Sequence, residues 1–334
     1  MLARKIGIDL GTCTVRVYVK GEGVVLTEPS LVALNRDGTR VLAVGSVAYD
    51  MAERRPESVR VLRPIRDGVM ADLNGMDGML RHLMRRVSAN RIFKPEIMVG
   101  VPSGASSAER RAVTKTVISA GARQAWLIDG PLAAAFGAGL SVAESKGSAV
   151  VDIGGGTTEI AVISLSGMVV GRSIKVGGKR IDGAVTAFLA RTRDFLIGER
   201  EAEQLKIAIG SAVEMKEPLT MQVRGRDPST GRERSLQLTS NDLVEAMREP
   251  LVMIASAIRG VLDDTPRELC ADLFDRGIVL TGGGALLRGL DRYLAIMTGM
   301  RVMVAAEPQT SVVRGTGLAL QNFEVLKRNQ SYFR

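Results

Sequence analysis

Aromatic side chains are scarce. They make up 4% of the 334 residues and include one tryptophan, Trp126. A core built from this chain must therefore be aliphatic, filled by Val, Ile, Leu, Ala and Met. There are two cysteines, Cys13 and Cys270, far apart in the sequence. That excludes a disulfide framework and a thiolate zinc site. The one histidine, His82, lies in an Arg-rich helical stretch and reads as a surface imidazole, so a histidine-based metal site is excluded too. No apolar run approaches the roughly 18 residues that a membrane span needs. Met1-Leu2-Ala3-Arg4-Lys5 leads directly into a strand-like segment, where a signal peptide would carry an apolar stretch and a cleavage site. A cytoplasmic protein is expected. The Gly-x-x-x-x-Gly-Lys-Ser/Thr phosphate loop is missing, and Gly282-Gly283-Gly284-Ala285-Leu286-Leu287 does not satisfy the dinucleotide pattern.

What remains is an ordinary globular composition, 46% hydrophobic and 24% charged. The length is large for one hydrophobic core, so two lobes are expected. The net charge of +9 attracts polyanions, whether nucleic acid, anionic lipid or nucleotide. No zinc finger and no aromatic-basic RNA-binding motif is present, so no specific nucleic-acid partner is expected.

The main organising signal is an internal echo. Ile8-Asp9-Leu10-Gly11-Thr12-Cys13-Thr14-Val15-Arg16 resembles Val151-Asp152-Ile153-Gly154-Gly155-Gly156-Thr157-Thr158-Glu159. Each has an apolar strand ending in Asp, a Gly/Thr turn and a second alternating strand. Between the copies the pattern is α/β. Glu96 to Val101 reads as a buried strand, and Ser106 with Glu109 has the spacing of a capping box. Trp126 to Ile128 reads as a short strand, and the Ala-rich stretch Pro131 to Leu140 as a tightly packed helix. After the second copy, Lys179 to Ile209 reads as polar helix and Leu219 to Leu238 as a hairpin turning at Asp227 to Gly231. A helical pattern runs from Leu243 to Val261, with Pro250 as a candidate break. Gly277 to Leu280 reads as a strand feeding a third turn, Thr281 to Gly284, with a helix soon after. Strand, turn, helix in this order favours parallel α/β layers. No linker separates the halves, so the lobes are expected to interleave.

Glycine lets a backbone turn bring successive N–H groups close to an anion. Thr12, Thr14, Thr157 and Thr158 add hydroxyl donors. Asp9 and Asp152, one at each strand end, suit a hydrated magnesium ion, which takes one or two carboxylates and keeps several waters. Two facing turns of this kind would hold a polyphosphate from both sides. One such turn alone is equally well an ordinary hairpin; two, with a third Gly-rich turn behind them, are not.

These three turns resemble the phosphate-one, phosphate-two and adenosine motifs of the actin, sugar kinase and chaperone ATPase superfamily. Further stretches are similar to MreB, the bacterial actin family: Gly23 to Ser30, Arg63 to Asp72, Phe93-Lys94-Pro95 and Leu280 to Leu290. The resemblance covers nearly the whole chain. It implies an α/β actin-like fold of two related, ribonuclease H-like lobes, each with a smaller subdomain and the nucleotide in the cleft between them. The implied division is 1-32, 65-142 and 309-334 for the first lobe core, with 33-64 as its small subdomain. The second lobe core is then 143-182 and 250-308, with 183-249 as its small subdomain. ATP and Mg2+ are the implied cofactors. Gly11, Thr12, Cys13, Thr14, Gly154, Gly155, Gly156, Thr157 and Thr158 would meet the phosphates. Glu203, Lys206, Gly282, Gly283, Gly284 and Leu286 would meet the adenosine, and Asp9 and Asp152 the magnesium through water. The implied function is a filament that guides cell-wall synthesis and so cell shape. Its partners would be further copies of itself in paired protofilaments, the anionic inner face of the cell membrane, and other cell-elongation proteins.

The chain also departs from that pattern. The family carries an acidic pair before the Pro of the Ala-rich helix, and the carboxylate next to that Pro orients the attacking water. Here the stretch is Ile128-Asp129-Gly130-Pro131, so Gly130 stands where the carboxylate is expected. Asp129, one residue earlier, points to the opposite side in extended backbone. Water positioning is a large part of phosphoryl-transfer catalysis, so hydrolysis is expected to be slow while nucleotide binding is kept. Lys179 follows Gly177-Gly178 where the family usually has an acidic residue; it either reaches a γ-phosphate or is simply exposed. Ile92-Phe93, flanked by Arg91 and Lys94, suits shallow insertion into an anionic membrane and equally suits inward packing; the resemblance favours insertion. Two other functions stay open, a hydrolysis-impaired adaptor that copolymerises with a standard MreB and a small-molecule kinase of the same superfold.

Overall fold

The computed structural model describes residues 4–54, 58–88, 94–321 and 323. Ile92 and Phe93, expected at a membrane, lie outside these residues.

Val15, Val17 and Val19 alternate inward along the strand Thr14–Val19 and are fully buried. Ile6 and Ile8 do the same on Lys5–Leu10 beside it. The echo in sequence becomes an echo in topology. The first five-stranded sheet runs Gln124–Asp129, Glu96–Val101, Lys5–Leu10, Thr14–Val19, Gly23–Pro29. The second runs Val302–Val304, Ile278–Thr281, Ser148–Ile153, Thr158–Ser164, Gly167–Ile174. In both, an antiparallel three-stranded meander comes first and two parallel strands are added beside its opening strand. Asp9 and Asp152 therefore end equivalent strands. The residues seven places later, Arg16 and Glu159, pair directly opposite them, Asp9 with Arg16 and Asp152 with Glu159.

Each sheet carries an insertion. The first has a three-stranded sheet, Val41–Val44, Val32–Asn35 and Val59–Leu62, with the helix Ser46–Arg54. The second has the hairpin Thr220–Arg226/Glu233–Thr239 and the helix Glu199–Ile209. The polar helical stretch expected from Lys179 to Ile209 consists of two helices, Gly178–Arg193 and Glu199–Ile209, because Asp194 adopts a left-handed conformation (φ 46°) that stops the first. Pro250 breaks nothing. The helix Ser240–Asp263 runs through it, held by the buried stripe Leu243, Met247, Leu251, Ile254, Ile258 and Val261. Such packing outweighs the roughly 3 kcal/mol that an interior proline costs. Ser106 and Glu109 form the capping box expected of them, ahead of the helix Ser107–Ser119.

The halves meet through two small-residue helices. The Ala-rich helix Gly130–Gly137 crosses the C-terminal helix Ser311–Gln321 so closely that a Cβ on Gly137 would overlap the Ser311 carbonyl oxygen. A Cβ on Gly315 would likewise overlap the carbonyl oxygen of Ala133. One apolar cluster spans this crossing, with Met98 and Ile128 from the first sheet and Val150, Ala161 and Ile163 from the second. The C-terminal helix thus returns to the first sheet, where Gly7 leaves room for Thr316 and Gly317.

Candidate nucleotide site

The two equivalent strand ends bring the Gly/Thr turns face to face. A Cβ on Gly155 would collide with the Cys13 thiol, and one on Gly156 would lie 2.6 Å from the Thr12 hydroxyl. Only glycines permit this approach. Behind the second turn, the helix Gly178–Arg193 begins. Its backbone N–H groups at Gly178 and Lys179 donate to the carbonyls of Gly154 and Gly155 at 2.9 and 2.8 Å. Because peptide units are trans, the N–H groups of Gly155 and Gly156 then point away from that helix, on the side of the cleft. A small hairpin covers the turns from the first half. Its corner, Asp67-Gly68, has positive φ at both residues (48° and 74°), as an Asp-Gly hairpin turn requires. The Gly68 N–H donates to the Thr12 hydroxyl at 3.3 Å.

Between the turns and the helix Glu199–Ile209 lies a cavity of about 480 Å³, in the range of small-ligand sites. Gly11, Thr12, Cys13, Thr14, Gly154, Gly155, Gly156 and Thr157 line one end. Glu203, Lys206, Gly282, Gly283, Gly284 and Leu286 line the other. Thr158 does not reach it: the side chain is fully buried and its hydroxyl donates to the Val176 carbonyl at 2.7 Å. Its place at the start of an inward-facing strand decides this.

Asp9 and Asp152 sit at the cavity floor. Burial pushes Asp9 up to about 6, and Arg16, 3.7 Å away, partly offsets that. Burial pushes Asp152 up to about 7; a hydrogen bond from the Thr281 hydroxyl at 2.8 Å opposes the rise, and the charges of Asp9 and Glu159 add to it. Two desolvated carboxylates side by side, the charge of one raising the other, are a place where a divalent cation gains. Among the described residues no three acidic, cysteine or histidine side chains cluster as metal ligands. The pair therefore fits magnesium held through water and phosphate oxygens, and does not fit a metal caged by protein alone.

The far end is apolar above and charged below. Ile207 is 65% exposed and Leu286 54%, although both line the cavity. They offer open aliphatic faces for a flat base. Lys206 is held at 2.7 Å by Asp182, a carboxylate 1% exposed, and also donates to the Gly178 carbonyl at 3.4 Å. Burial pushes Asp182 up and Lys206 draws it down.

Gly130 lines the cavity and Asp129 does not. Asp129 is buried and its carboxylate is paired with Arg110 of the helix Ser107–Ser119. Nothing in the backbone demands glycine at position 130: an added Cβ would lie 3.4 Å from the Val101 carbonyl oxygen, an ordinary contact. Glu159 is the cavity carboxylate that sequence reasoning missed. Its Oε2 accepts from the backbone and hydroxyl of Ser103 at 3.0 and 2.7 Å, and its Oε1 accepts from the Ser173 hydroxyl. It ties the two sheets together at the cleft floor. Its equivalence to Arg16 in the echo was the available signal. Ile207 and Asp182 had none, because only the helix docking shows which face of each helix meets the cleft.

Two sheets of matching topology, joined at a helix crossing and presenting paired turns to one cleft, define an actin-like protein of the nucleotide-binding class. The model of the MreB/Mbl protein family matches residues 3–328. Cell shape-determining protein MreB of Escherichia coli (strain K12) is 46% identical over 331 residues, covering 97% of this chain and 95% of that protein. Cell shape-determining protein Mbl of Bacillus subtilis (strain 168) is 41% identical, covering 99% of both. The crystal structure of MreB 5 of Spiroplasma citri bound to AMPPNP superposes with a TM-score of 0.92, at 32% identity and 99% coverage of both chains. The chain belongs to the MreB/Mbl family.

Proposed function

We propose that this chain binds ATP with Mg2+ in the cleft and assembles into actin-like filaments that help determine cell shape by organising cell-wall synthesis. The observation that carries the nucleotide is the pair of opposed glycine turns above two half-buried, strand-end carboxylates. Relatives named for cell-shape determination, at 41–46% identity over nearly the full length, support the cellular role. A homologue solved with AMPPNP and with ADP supports the ligand. The turns would hold the phosphates, Asp9 and Asp152 the magnesium through water, and Ile207, Leu286, Glu203 and Lys206 the adenosine. Magnesium, when bound, supplies charge neutralisation to the phosphates. The chain's own part is to orient them.

Hydrolysis is slow in this reading, because neither Gly130 nor the Arg110-paired Asp129 can aim a water at the terminal phosphate. Among the described residues no helix is long and apolar enough to cross a membrane. Attachment at the cytoplasmic face would then be peripheral, through Ile92 and Phe93 with their basic neighbours. Electron microscopy of the purified protein with ATP and Mg2+ tests the reading. Filaments formed by the protein alone support it. Filaments that appear only after a standard MreB is added support the copolymerising adaptor, which Gly130 favours. No filaments under either condition refutes both.

A further inference from the structure

Lys179 follows Gly177-Gly178 at the start of the helix Gly178–Arg193, and the structure gives it a definite position. Its backbone N–H is fixed to the Gly155 carbonyl at 2.8 Å, so the residue is rooted on the second glycine turn. The side chain is 18% exposed and its ammonium is paired with Glu199, at the start of the helix Glu199–Ile209. Glu199 itself is 64% exposed. An ion pair with one partner so open to water contributes little, about 0–1 kcal/mol.

The surroundings make that pair easy to exchange. Arg63 reaches the same place from the first half, its guanidinium donating to the Thr12 carbonyl at 3.4 Å. The Cys13 thiol, pushed up by burial, is drawn down by the positive charges of Arg63 and Lys179 and less by Lys206, with Glu203 opposing them. Arg63 and Lys179 therefore converge beside Cys13, where the two glycine turns meet. Burial pushes Glu199 up, but Lys179 and then Arg63 outweigh it and hold the group below its ordinary value. Glu199 thus keeps a second cation nearby when the first departs. The adenosine walls, Glu203, Lys206 and Ile207, lie one to two turns further along the helix that Glu199 opens. Lys179 and Glu199 do not themselves line the cavity, but Gly178, which precedes Lys179, and Gly155, to which its N–H is bonded, both do.

We infer that Lys179 is a triphosphate-sensing cation: it leaves Glu199 to meet the terminal phosphate of a bound nucleoside triphosphate, and returns to Glu199 when only a diphosphate is present. The inference rests on the nucleotide-binding reading above and adds to it a residue that separates the two nucleotide states. The lysine's four-carbon stem allows such a swing without moving the backbone. A phosphate oxygen offers a charge-assisted bond inside the cleft, where Glu199 offers one at the rim.

The test compares dissociation constants for the magnesium complexes of AMPPNP and ADP in the wild type, Lys179→Met and Glu199→Gln, each as the full chain. Lys179→Met is expected to weaken AMPPNP about tenfold, the loss of one charged contact, and to change ADP less than about twofold. Glu199→Gln frees Lys179 and is expected to tighten AMPPNP a few-fold, with ADP again unmoved. An unchanged AMPPNP-to-ADP ratio in both variants overturns the inference while leaving nucleotide binding intact. If Lys179→Met does not fold, an unchanged ratio in Glu199→Gln is sufficient to overturn it. A wild type that binds neither nucleotide sinks the binding reading and this inference together.

Discussion

Restoring a carboxylate at position 130 should restore hydrolysis. The perturbation is Gly130→Glu, at the first residue of the helix Gly130–Gly137. The backbone accepts it: Gly130 is not among the positive-φ glycines, and a Cβ there meets only the Val101 carbonyl, at 3.4 and 3.9 Å to oxygen and carbon. Replacing glycine at a compatible site gains about 0.4–1 kcal/mol through the unfolded state. A carboxylate in the first turn of a helix gains about 0.3–1 kcal/mol from the dipole. Crowding next to buried Asp129 opposes these gains, but Arg110 already neutralises that group. Folding stability should therefore move by no more than about 1 kcal/mol. A positioned acid–base group contributes typically about 10²–10⁴-fold to rate. An engineered carboxylate without its evolved neighbours should recover less than that, about tenfold to a hundredfold, or about 1.4–2.7 kcal/mol off the barrier. Gly130→Ala should add nothing and Gly130→Gln only part, since an amide orients water without accepting its proton. The assay is phosphate release at saturating ATP and Mg2+ under polymerising conditions, with nucleotide affinity measured alongside. An unchanged rate in a folded, nucleotide-binding Gly130→Glu protein would refute the reasoning. So would a wild type that already turns over as fast as a relative carrying the carboxylate.

Other parts of the structure make separate predictions. Gly315→Ala drives a methyl into the Ala133 carbonyl at the helix crossing and should cost about 3 kcal/mol or more, read as a fall in the denaturation midpoint or loss of soluble protein. Protons compete with magnesium for Asp9 and Asp152, whose values stand at about 6 and about 7. The magnesium-dependent part of nucleotide affinity should therefore grow from about pH 5 to about pH 8, and Asp152→Asn should flatten the titration. In the metal-free protein the same two groups bind protons more tightly folded than unfolded. Their contribution to stability is thus full below about pH 4 and is lost as pH rises through about 6 and 7, which thermal melts across that range would show. Ile92→Ser/Phe93→Ser should lower co-sedimentation with anionic liposomes at least about tenfold, since each apolar side chain inserted is worth about 1.5–3 kcal/mol; equal binding would argue against insertion there.

Much of this architecture was legible in the sequence because glycine and aspartate leave so few options. A strand that ends in Asp and turns through Gly-x-Thr, occurring twice, implied two equivalent strand ends, and the identical strand order of the two sheets follows from it. The capping box at Ser106 and Glu109 was readable because it depends on residues three apart. What failed depended on contacts distant in sequence. Pro250 looked like a break because propensity favours one, but the buried stripe on either side of it outweighs that cost. Thr158 looked like a phosphate donor by its neighbours, and one residue of strand pleat turned it into the core. Glu159 went unassigned because Ser103 and Ser173, which hold it, lie on other strands and loops. Asp182 went unassigned because its partner, Lys206, sits on a different helix.

The central claim, that the paired turns grip a nucleotide, is tested most directly by calorimetric titration of the full chain with AMPPNP and Mg2+, beside Gly155→Val. The account predicts one site per chain in the wild type and none in the variant, where the new side chain would collide with Cys13 and push the two turns apart. Absence of binding in the wild type, or undiminished binding in a folded Gly155→Val protein, would contradict it.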